Sequence, residues 1–114
     1  MARGPLRGEV WTVDLSPTRG HEQNLVRPAV VVSSDSFNRS AAGLVMVLPL
    51  TRTQRGIPFH VEVRPPDGGL RSTSYVLCDQ IRTVAKERLS ARRGEMSATT
   101  MHRIVERLRV LLDL

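Results

Sequence analysis

The stretch EVWTVDL, residues 9–15, predicts the fold most directly. Apolar side chains at Trp11, Val13 and Leu15 alternate with polar ones at the positions between them. Such alternation is typical of a β-strand that buries one face. The next five residues, SPTRG, contain the proline and the glycine that end a strand. The sequence therefore predicts a β-protein whose first strand leads into a loop.

Further strands are predicted along the chain after this loop. Pro28 suits the first position of a strand, and the apolar or alternating runs that follow are separated by turn residues. The predicted strands are residues 29–32, 44–50, 59–63 and 74–78, with residues 81–84 continuing the last one after a kink. Ser34 is expected to cap a short helical turn that ends near Ala42. Gly94 is expected to close the last connection.

One long helix is predicted at the C-terminus, with Ser97 as its cap. Its apolar side chains recur at helical spacing, which places them in one stripe. They are Met101, Ile104, Val105, Leu108, Leu111 and Leu112. Five or so short strands and one terminal helix indicate a mainly β fold with α, a small and strongly curved antiparallel sheet or barrel. We expect residues 1–114 to form a single domain.

The charge balance predicts a polyanionic partner. Lys plus Arg number 17 against 11 Asp plus Glu, which gives a net charge of +6, and Lys86 is the only lysine. Arginine offers paired donors that fit phosphate oxygens, so nucleic acid is expected first and an acidic protein second. The single cysteine, Cys78, fits a reducing compartment, and no membrane span or signal peptide is present in the sequence, so a cytoplasmic protein is expected. No nucleotide-binding or zinc motif occurs, and no cofactor or metal is expected.

The loop RGHEQNLVRP, residues 19–28, is the densest group of reactive side chains. His21 and Glu22 occupy a stretch that follows a glycine, and loops on rigid scaffolds often carry function. A solvated polar turn is the alternative interpretation. Arg27 is fixed by the following proline at the entry to a buried strand, so its guanidinium has a rigid base. Its alternative role is a salt bridge across the strand ends, with Asp79 as the partner.

Polar residues also follow two other predicted strands. Thr51 ends one strand beside Arg52 and Arg55, a combination that suits a phosphate, although threonine is also common in strands. The segment DQIR, residues 79–82, places an acid and an amide at the rim of the sheet, or simply forms a turn. His60 and His102 are interpreted as structural residues.

The order of these motifs resembles the MazF/PemK (Kid) family, the toxins of type II toxin–antitoxin systems. The resemblance rests on GEVWTVDL, PTRGHEQNLVRPAVVVS, FNR, LPLT, DQIRTV and RL, and runs from about residue 7 to 112. It implies an SH3-like barrel of the plasmid-maintenance-toxin or CcdB-like kind with a C-terminal helix. It also implies a homodimer and a ribosome-independent endoribonuclease that needs no metal.

The resemblance assigns roles to individual residues. Arg27 of the RP motif and Thr51 are similar to the pair that holds the scissile phosphate, while His21, Glu22 and Gln23 resemble the PemK-type loop. Asp79 matches the acid of the PemK-type RCDQ block, but Leu77 stands where that block has its arginine. Arg27 is therefore the preferred cation, ahead of Arg82.

In the expected reaction, the 2′-hydroxyl of RNA attacks the adjacent phosphorus and leaves a 2′,3′-cyclic phosphate and a 5′-hydroxyl. Arg27 and Thr51 supply charge and hydrogen bonds at the phosphorus. Asp79, Glu22 or His21 accepts the 2′ proton, and the sequence leaves that choice open. The loops 17–26 and 52–58 are expected to read bases. The residues expected to bind RNA are Gln23, Asn38, Arg52, Arg55, Ser74, Gln80 and Arg82.

The expected partners are single-stranded RNA, an acidic MazE-like antitoxin and a second copy of the chain. Residues 44–50 and the C-terminal helix are the expected dimer interface. Two other functions remain open: a CcdB-like inhibitor of DNA gyrase, and a nucleic-acid-binding barrel without catalytic activity. The RNA motif, and the choice among messenger, transfer and ribosomal RNA, are left open.

Overall fold

The protein forms one antiparallel sheet that is completed by a C-terminal helix, as a computed structural model of residues 4–16 and 25–114 shows. This architecture confirms the predicted mainly β fold with a terminal helix. In chain order, the elements are β1 (Glu9–Asp14), β2 (Val26–Val31), α1 (Asp35–Asn38), β3 (Leu44–Thr51), β4 (His60–Val63), β5 (Ser74–Leu77), β6 (Arg82–Ala85), β7 (Leu89–Glu95) and α2 (Ala98–Leu112). No helix among these described residues is long and apolar enough to cross a membrane.

Strand β3 is the centre of the sheet. The strand order is β4-β5-β3-β2-β1-β7, and β6 pairs with the first half of β3 while β5 pairs with its end. A 3₁₀ turn, Cys78–Gln80, separates β5 from β6, so the two strands follow β3 as one kinked strand. The kink predicted between residues 78 and 81 is confirmed.

Strand β2 begins three residues earlier than predicted. Arg27 and Pro28 lie inside it, because they pair with Val13 and Thr12 of β1. Arg27 is therefore held in place by its pairing with β1 as well as by the proline that follows it. This placement gives its side chain a more rigid base than a loop end would give.

The strand β7 was missed by the sequence prediction, which expected Gly94 to close a connection. Its residues, LSARRGE, are mostly exposed, so they show no alternation of buried and exposed side chains. The pairing of β7 with β1 shifts register twice. An exposed, bulged edge strand has no hydrophobic period, and periodicity alone does not reveal it.

The core lies on both faces of the central strands. Val30 and Val31 are fully buried on opposite faces, and each belongs to a separate apolar cluster. Helix α2 covers the Val30 side through Ile104, with Met101, Leu108 and Leu111 packed beside it. Ser97 accepts a hydrogen bond from the Thr100 amide, which confirms the predicted N-cap. Leu112, expected in the buried stripe, is the last residue of the helix and is 52% exposed.

Candidate nucleic-acid interface

A groove of about 600 Å³ opens where β2, β3 and the segment before β5 meet, and we call it the arginine groove. Four arginines line it, and no acidic side chain does so among the described residues. Four hydroxyl side chains also line it. The arginines are Arg27, Arg52, Arg71 and Arg93, and the hydroxyl groups belong to Thr51, Thr53, Ser72 and Ser74. Such a surface attracts phosphate and provides neutral donors for its oxygens.

Arg27 and Thr51 lie on neighbouring strands at one end of this groove. The β2–β3 ladder pairs Val31 with Val47 and Ala29 with Pro49. The same register, continued by two residues, puts Arg27 across from Thr51, and both line the groove. The structure therefore brings together the two residues that the sequence singled out for the phosphate. Thr51 itself pairs with Tyr75 of β5, which fixes it from the other side.

Arg27 is exposed and forms no ion pair with any residue in the described ranges. The alternative salt bridge with Asp79 is absent, because Asp79 lies near His60 instead, with 3.2 Å between the carboxylate and Nε2. The His60 side chain is only 5% exposed, and its Nδ1 atom is buried without a hydrogen-bond partner in the part of the chain that the structure describes. Asp79 does not line the arginine groove. Within one chain, the structure thus does not group Asp79 with Arg27 and Thr51.

Arg82 and Arg88 bind the backbone at the end of β1. Arg82 donates to the carbonyls of Leu15 and Ser16, and Arg88 donates to those of Asp14 and Ser16. Hydrogen bonds from Ser16 lower the pKa of Asp14, and the charges of Arg88 and Arg82 lower it further. These two arginines therefore fix the point from which the chain continues into residues 17–24. The Arg82 guanidinium, expected on RNA, already has two carbonyl partners.

The other expected RNA-binding residues fall in several places. Arg52 and Ser74 line the arginine groove, whereas Arg55 lines a smaller neighbouring pocket with Tyr75. Gln80 is exposed but lines neither of them. Asn38 was expected to bind RNA, but it is 1% exposed and its amide is hydrogen-bonded to Ser33. An RNA base therefore does not reach Asn38 in this conformation. The predicted residues His21, Glu22 and Gln23 lie outside the described residues.

Arg71 and Arg93 are groove residues that the sequence analysis missed. Arg93 belongs to the unpredicted strand β7, and Arg71 follows the turn that Asp67 begins. The only local signal was the presence of adjacent arginines at 92 and 93. That signal was weak because the two neighbours have different roles, which the sequence does not distinguish. Arg92 forms an ion pair with Glu9, whereas Arg93 lines the groove.

The described residues contain no group of three or more His, Cys, Asp or Glu side chains that could hold a metal ion. Cys78 is buried, and burial raises the pKa of its thiol to about 12, with the charge of Asp79 adding to the shift. A buried thiol with this pKa is protonated at neutral pH and is a poor nucleophile. The chemistry that the described groove offers is therefore that of guanidinium and hydroxyl groups.

A small β-sheet protein with a cationic groove at a strand end, lined by no acid of the described ranges, has the features of a nucleic-acid-binding protein. Comparison with known proteins defines its family. Residues 6–112 match the family model of the PemK-like, MazF-like toxin of type II toxin–antitoxin system. The chain belongs to this family.

Individual relatives match nearly the whole chain. Endoribonuclease MazF9 of Mycobacterium tuberculosis is 41% identical over 113 residues, which cover 95% of this chain and 96% of the relative. Endoribonuclease PemK of Escherichia coli is 40% identical, with 93% and 80% covered. A solved endoribonuclease in complex with its cognate antitoxin, from a mycobacterial species, superimposes with a TM-score of 0.81 at 35% identity, with 97% of each chain covered.

Proposed function

We infer that this protein is the toxin of a type II toxin–antitoxin system and an endoribonuclease. The relatives named above are endoribonucleases, and they match this chain almost from end to end. The observation that supports this function most directly is the placement of Arg27 and Thr51 in one groove that is lined by four arginines. We propose that residues 1–114 act as one toxin domain, in the cytoplasm, on single-stranded RNA.

The proposed reaction is a transphosphorylation without a metal. The 2′-oxygen bonds to the adjacent phosphorus, the bond to the 5′-oxygen breaks, and the products are a 2′,3′-cyclic phosphate and a 5′-hydroxyl. Arg27 neutralises the charge that builds up on the phosphorane oxygens, and Thr51 donates a hydrogen bond to one of them. Both side chains start from paired strands, so the sheet fixes the backbone positions from which they reach the phosphate.

The reaction needs a base that accepts the 2′ proton and an acid that donates a proton to the leaving 5′-oxygen. We propose Asp79, Glu22 or His21 as the base. Asp79 is a carboxylate held near His60, outside the groove. In this role it acts either on RNA that extends beyond the groove or on RNA that is bound to a second subunit. Each such group contributes roughly 10²–10⁴-fold to the rate.

We propose two protein partners. The first is an acidic MazE-like antitoxin, whose negative charge complements the four groove arginines and competes with RNA for them. The second is another copy of this chain, paired through β3 and α2 in a homodimer. The solved relative is bound to its cognate antitoxin, which supports the first partner.

The test is cleavage of a long single-stranded RNA in excess EDTA, with every new 5′ end mapped. Arg27→Ala and Thr51→Val are the test variants. Arg39→Ala is the matched control, because Arg39 is also exposed but does not line the groove. We expect cuts at one short motif by the wild type and the control, and a loss of about 10²-fold or more for the two groove variants.

Other outcomes have definite meanings. Equal activity of the folded Arg27→Ala variant would remove Arg27 from the reaction. RNA binding without any cut would indicate a non-catalytic nucleic-acid-binding barrel. Inhibition of DNA gyrase without RNA binding or RNA cleavage would indicate the CcdB-like function.

A further inference from the structure

We propose that Arg71 and Arg93 form a second wall of the arginine groove and bind a backbone phosphate of the RNA other than the one that is cleaved. The proposal rests on the proposed function and extends it by a binding subsite. Arg71 and Arg93 line the same groove as Arg27 and Thr51 but start from different elements. The second wall is defined here by these two arginines.

A bulge directs Arg93 into the groove. Val10 pairs with Gly94 and Trp11 pairs with Arg92, so Arg93 is the extra residue between two consecutive pairs. A bulge of this kind re-aims the side chain of the inserted residue. Arg92 donates to the Glu9 carboxylate at 2.6 Å, whereas the side chain of Arg93 donates, among the described residues, only to the Thr12 hydroxyl, at 3.3 Å. The hydroxyl orients the Arg93 guanidinium without neutralising its charge.

Arg71 is held next to β7 by a close contact between two glycines. A Cβ atom on Gly69 would lie 2.1 Å from the Arg93 carbonyl oxygen, and one on Gly94 would lie 2.6 Å from the Gly69 nitrogen. Gly69 also has a φ of +69°, which favours glycine. Since no side chain fits between them, the backbone that carries Arg71 is pressed directly against the strand that carries Arg93.

Asp67 anchors the same segment to the start of helix α2. Its carboxylate accepts hydrogen bonds from the Ser97 amide at 2.7 Å, from the Ser97 hydroxyl at 3.1 Å and from the Thr100 hydroxyl. Burial raises the pKa of Asp67, but these bonds outweigh burial and the net pKa is lowered, so the carboxylate is ionised at neutral pH. The segment that presents Arg71 is thus fixed at both the turn and the strand.

The second wall carries positive charge that no acid in residues 4–16 or 25–114 neutralises. Arg71 forms no hydrogen bond or ion pair with another described residue, and no acid lines this part of the groove. The groove therefore offers two pairs of guanidinium groups to one ligand. Arg27 of β2 and Arg52 after β3 are one pair, and Arg71 and Arg93 of the second wall are the other. A single phosphate does not use both pairs, whereas an RNA strand offers a phosphate at every nucleotide. The Ser72 hydroxyl beside Arg71 adds a neutral donor.

The test uses an RNA oligonucleotide that contains the mapped motif, with a 2′-fluoro group at the cut so that no attacking hydroxyl is present. Its dissociation constant is measured across a salt series for the wild type, Arg71→Ala, Arg93→Ala, the double variant and the control Arg39→Ala. We expect roughly tenfold weaker binding for each groove arginine that is removed. The slope of log affinity against log salt is expected to fall by about 0.7 for each lost phosphate contact.

Cleavage kinetics separate this binding role from a role in the chemistry. We expect the KM to rise while the single-turnover rate at saturating RNA stays within about twofold of the wild type. Arg93→Lys, which keeps the charge but loses the paired donors, is expected to retain the salt slope and recover part of the affinity. Melting temperatures equal to the wild type establish that each variant is folded.

Wild-type affinity and slope in the folded double variant would overturn the proposal. It would also be overturned if RNA binding were unchanged and only an acidic antitoxin peptide bound more weakly, since the wall would then serve the inhibitor. A wild-type protein that does not cut RNA would instead contradict the proposed function. The two failures are therefore distinguishable.

Discussion

Asp79 lies beside His60, 3.2 Å from its Nε2 atom, and not beside the Arg27 guanidinium. The contact joins the start of β4 to the turn between β5 and β6, two segments that the sheet already places side by side. The His60 ring is buried while the carboxylate is partly exposed. The acid that the family resemblance places in the reaction therefore has a structural contact of its own in this chain.

Of the three proposed proton acceptors, Asp79 is the one that the structure separates from Arg27 and Thr51, so we predict that Asp79→Asn slows cleavage much less than Arg27→Ala does. Asp79 does not line the arginine groove, and its position depends on His60 rather than on Arg27 or Thr51. Single-turnover rates of Asp79→Asn, His60→Gln and the double variant test this. A loss of 10²-fold or more in a fully stable Asp79→Asn protein would identify Asp79 as the proton acceptor.

The contact between Asp79 and His60 should also appear in stability. Their double-mutant cycle should give a coupling of about 0.5–1.5 kcal/mol in the free energy of unfolding, since one partner is exposed to water. Urea denaturation of the four proteins measures it. A coupling near zero would mean that the two side chains are neighbours without an energetic interaction.

The Arg82 and Arg88 contacts with β1 predict a stability effect and a substrate effect. Arg88→Ala removes two hydrogen bonds to the carbonyls of Asp14 and Ser16, which should lower the free energy of unfolding by about 1–3 kcal/mol. The Arg88→Ala protein should bind RNA more weakly or cut it with lower motif selectivity, because these carbonyls precede the proposed base-reading loop. The matched control Arg39→Ala should change neither property, and equal effects in both variants would exclude a specific role.

Replacing Gly94 by alanine should destabilise the protein and weaken RNA binding together. The new Cβ would lie 2.6 Å from the Gly69 nitrogen, so the two backbones must separate, at a cost of about 1–3 kcal/mol. Gly4→Ala is the control, because nothing lies within 4 Å of its Cβ position. An unchanged urea midpoint for Gly94→Ala would contradict the close contact that holds the second wall.

Glu9 should contribute to stability only while it is ionised. It is 1% exposed; burial raises its pKa, but hydrogen bonds from Arg92, the Leu6 amide and Trp11 outweigh burial and lower it below the ordinary value of 4.5. A lowered folded-state pKa stabilises the protein above the unfolded-state pKa, and this stabilisation is lost as the pH falls through the folded-state value.

Glu9→Gln should therefore cost about 1–3 kcal/mol at pH values near 7, and the difference from the wild type should shrink in acid. Unfolding free energies across a pH series measure this. Glu62→Gln is the control, because its ion pair with Arg64 is exposed and should contribute little. A constant difference at all pH values would show that the ionised form of Glu9 is not what stabilises the fold.

Cys78 should not react with thiol reagents in the folded protein. Its pKa of about 12 and its burial leave almost no thiolate at the surface. Labelling with a chromogenic disulfide at about pH 8 should be slow for the native protein and complete after denaturation. Fast, stoichiometric labelling of the native protein would indicate that the β5–β6 kink opens.

Local sequence patterns determined much of the fold and part of the site. The alternation in β1, the cap at Ser97 and the apolar stripe of α2 depend on residues close together in the chain, so they are readable without tertiary structure. Arg27 and Thr51 were also predictable, because each adjoins a recognisable strand and a family motif. The register of β2 and β3 then placed them together.

Only the tertiary structure decided which other side chains share a surface. Strand β7 has exposed residues on both faces, so it lacks the period that burial imposes, and Arg93 could not be assigned to a strand. The burial of Asn38, the contact of Asp79 with His60 and the convergence of Arg71 with Arg93 all join parts of the chain that no short pattern relates. These depend on the register, the bulge and the glycine contact, which are set when the whole sheet packs.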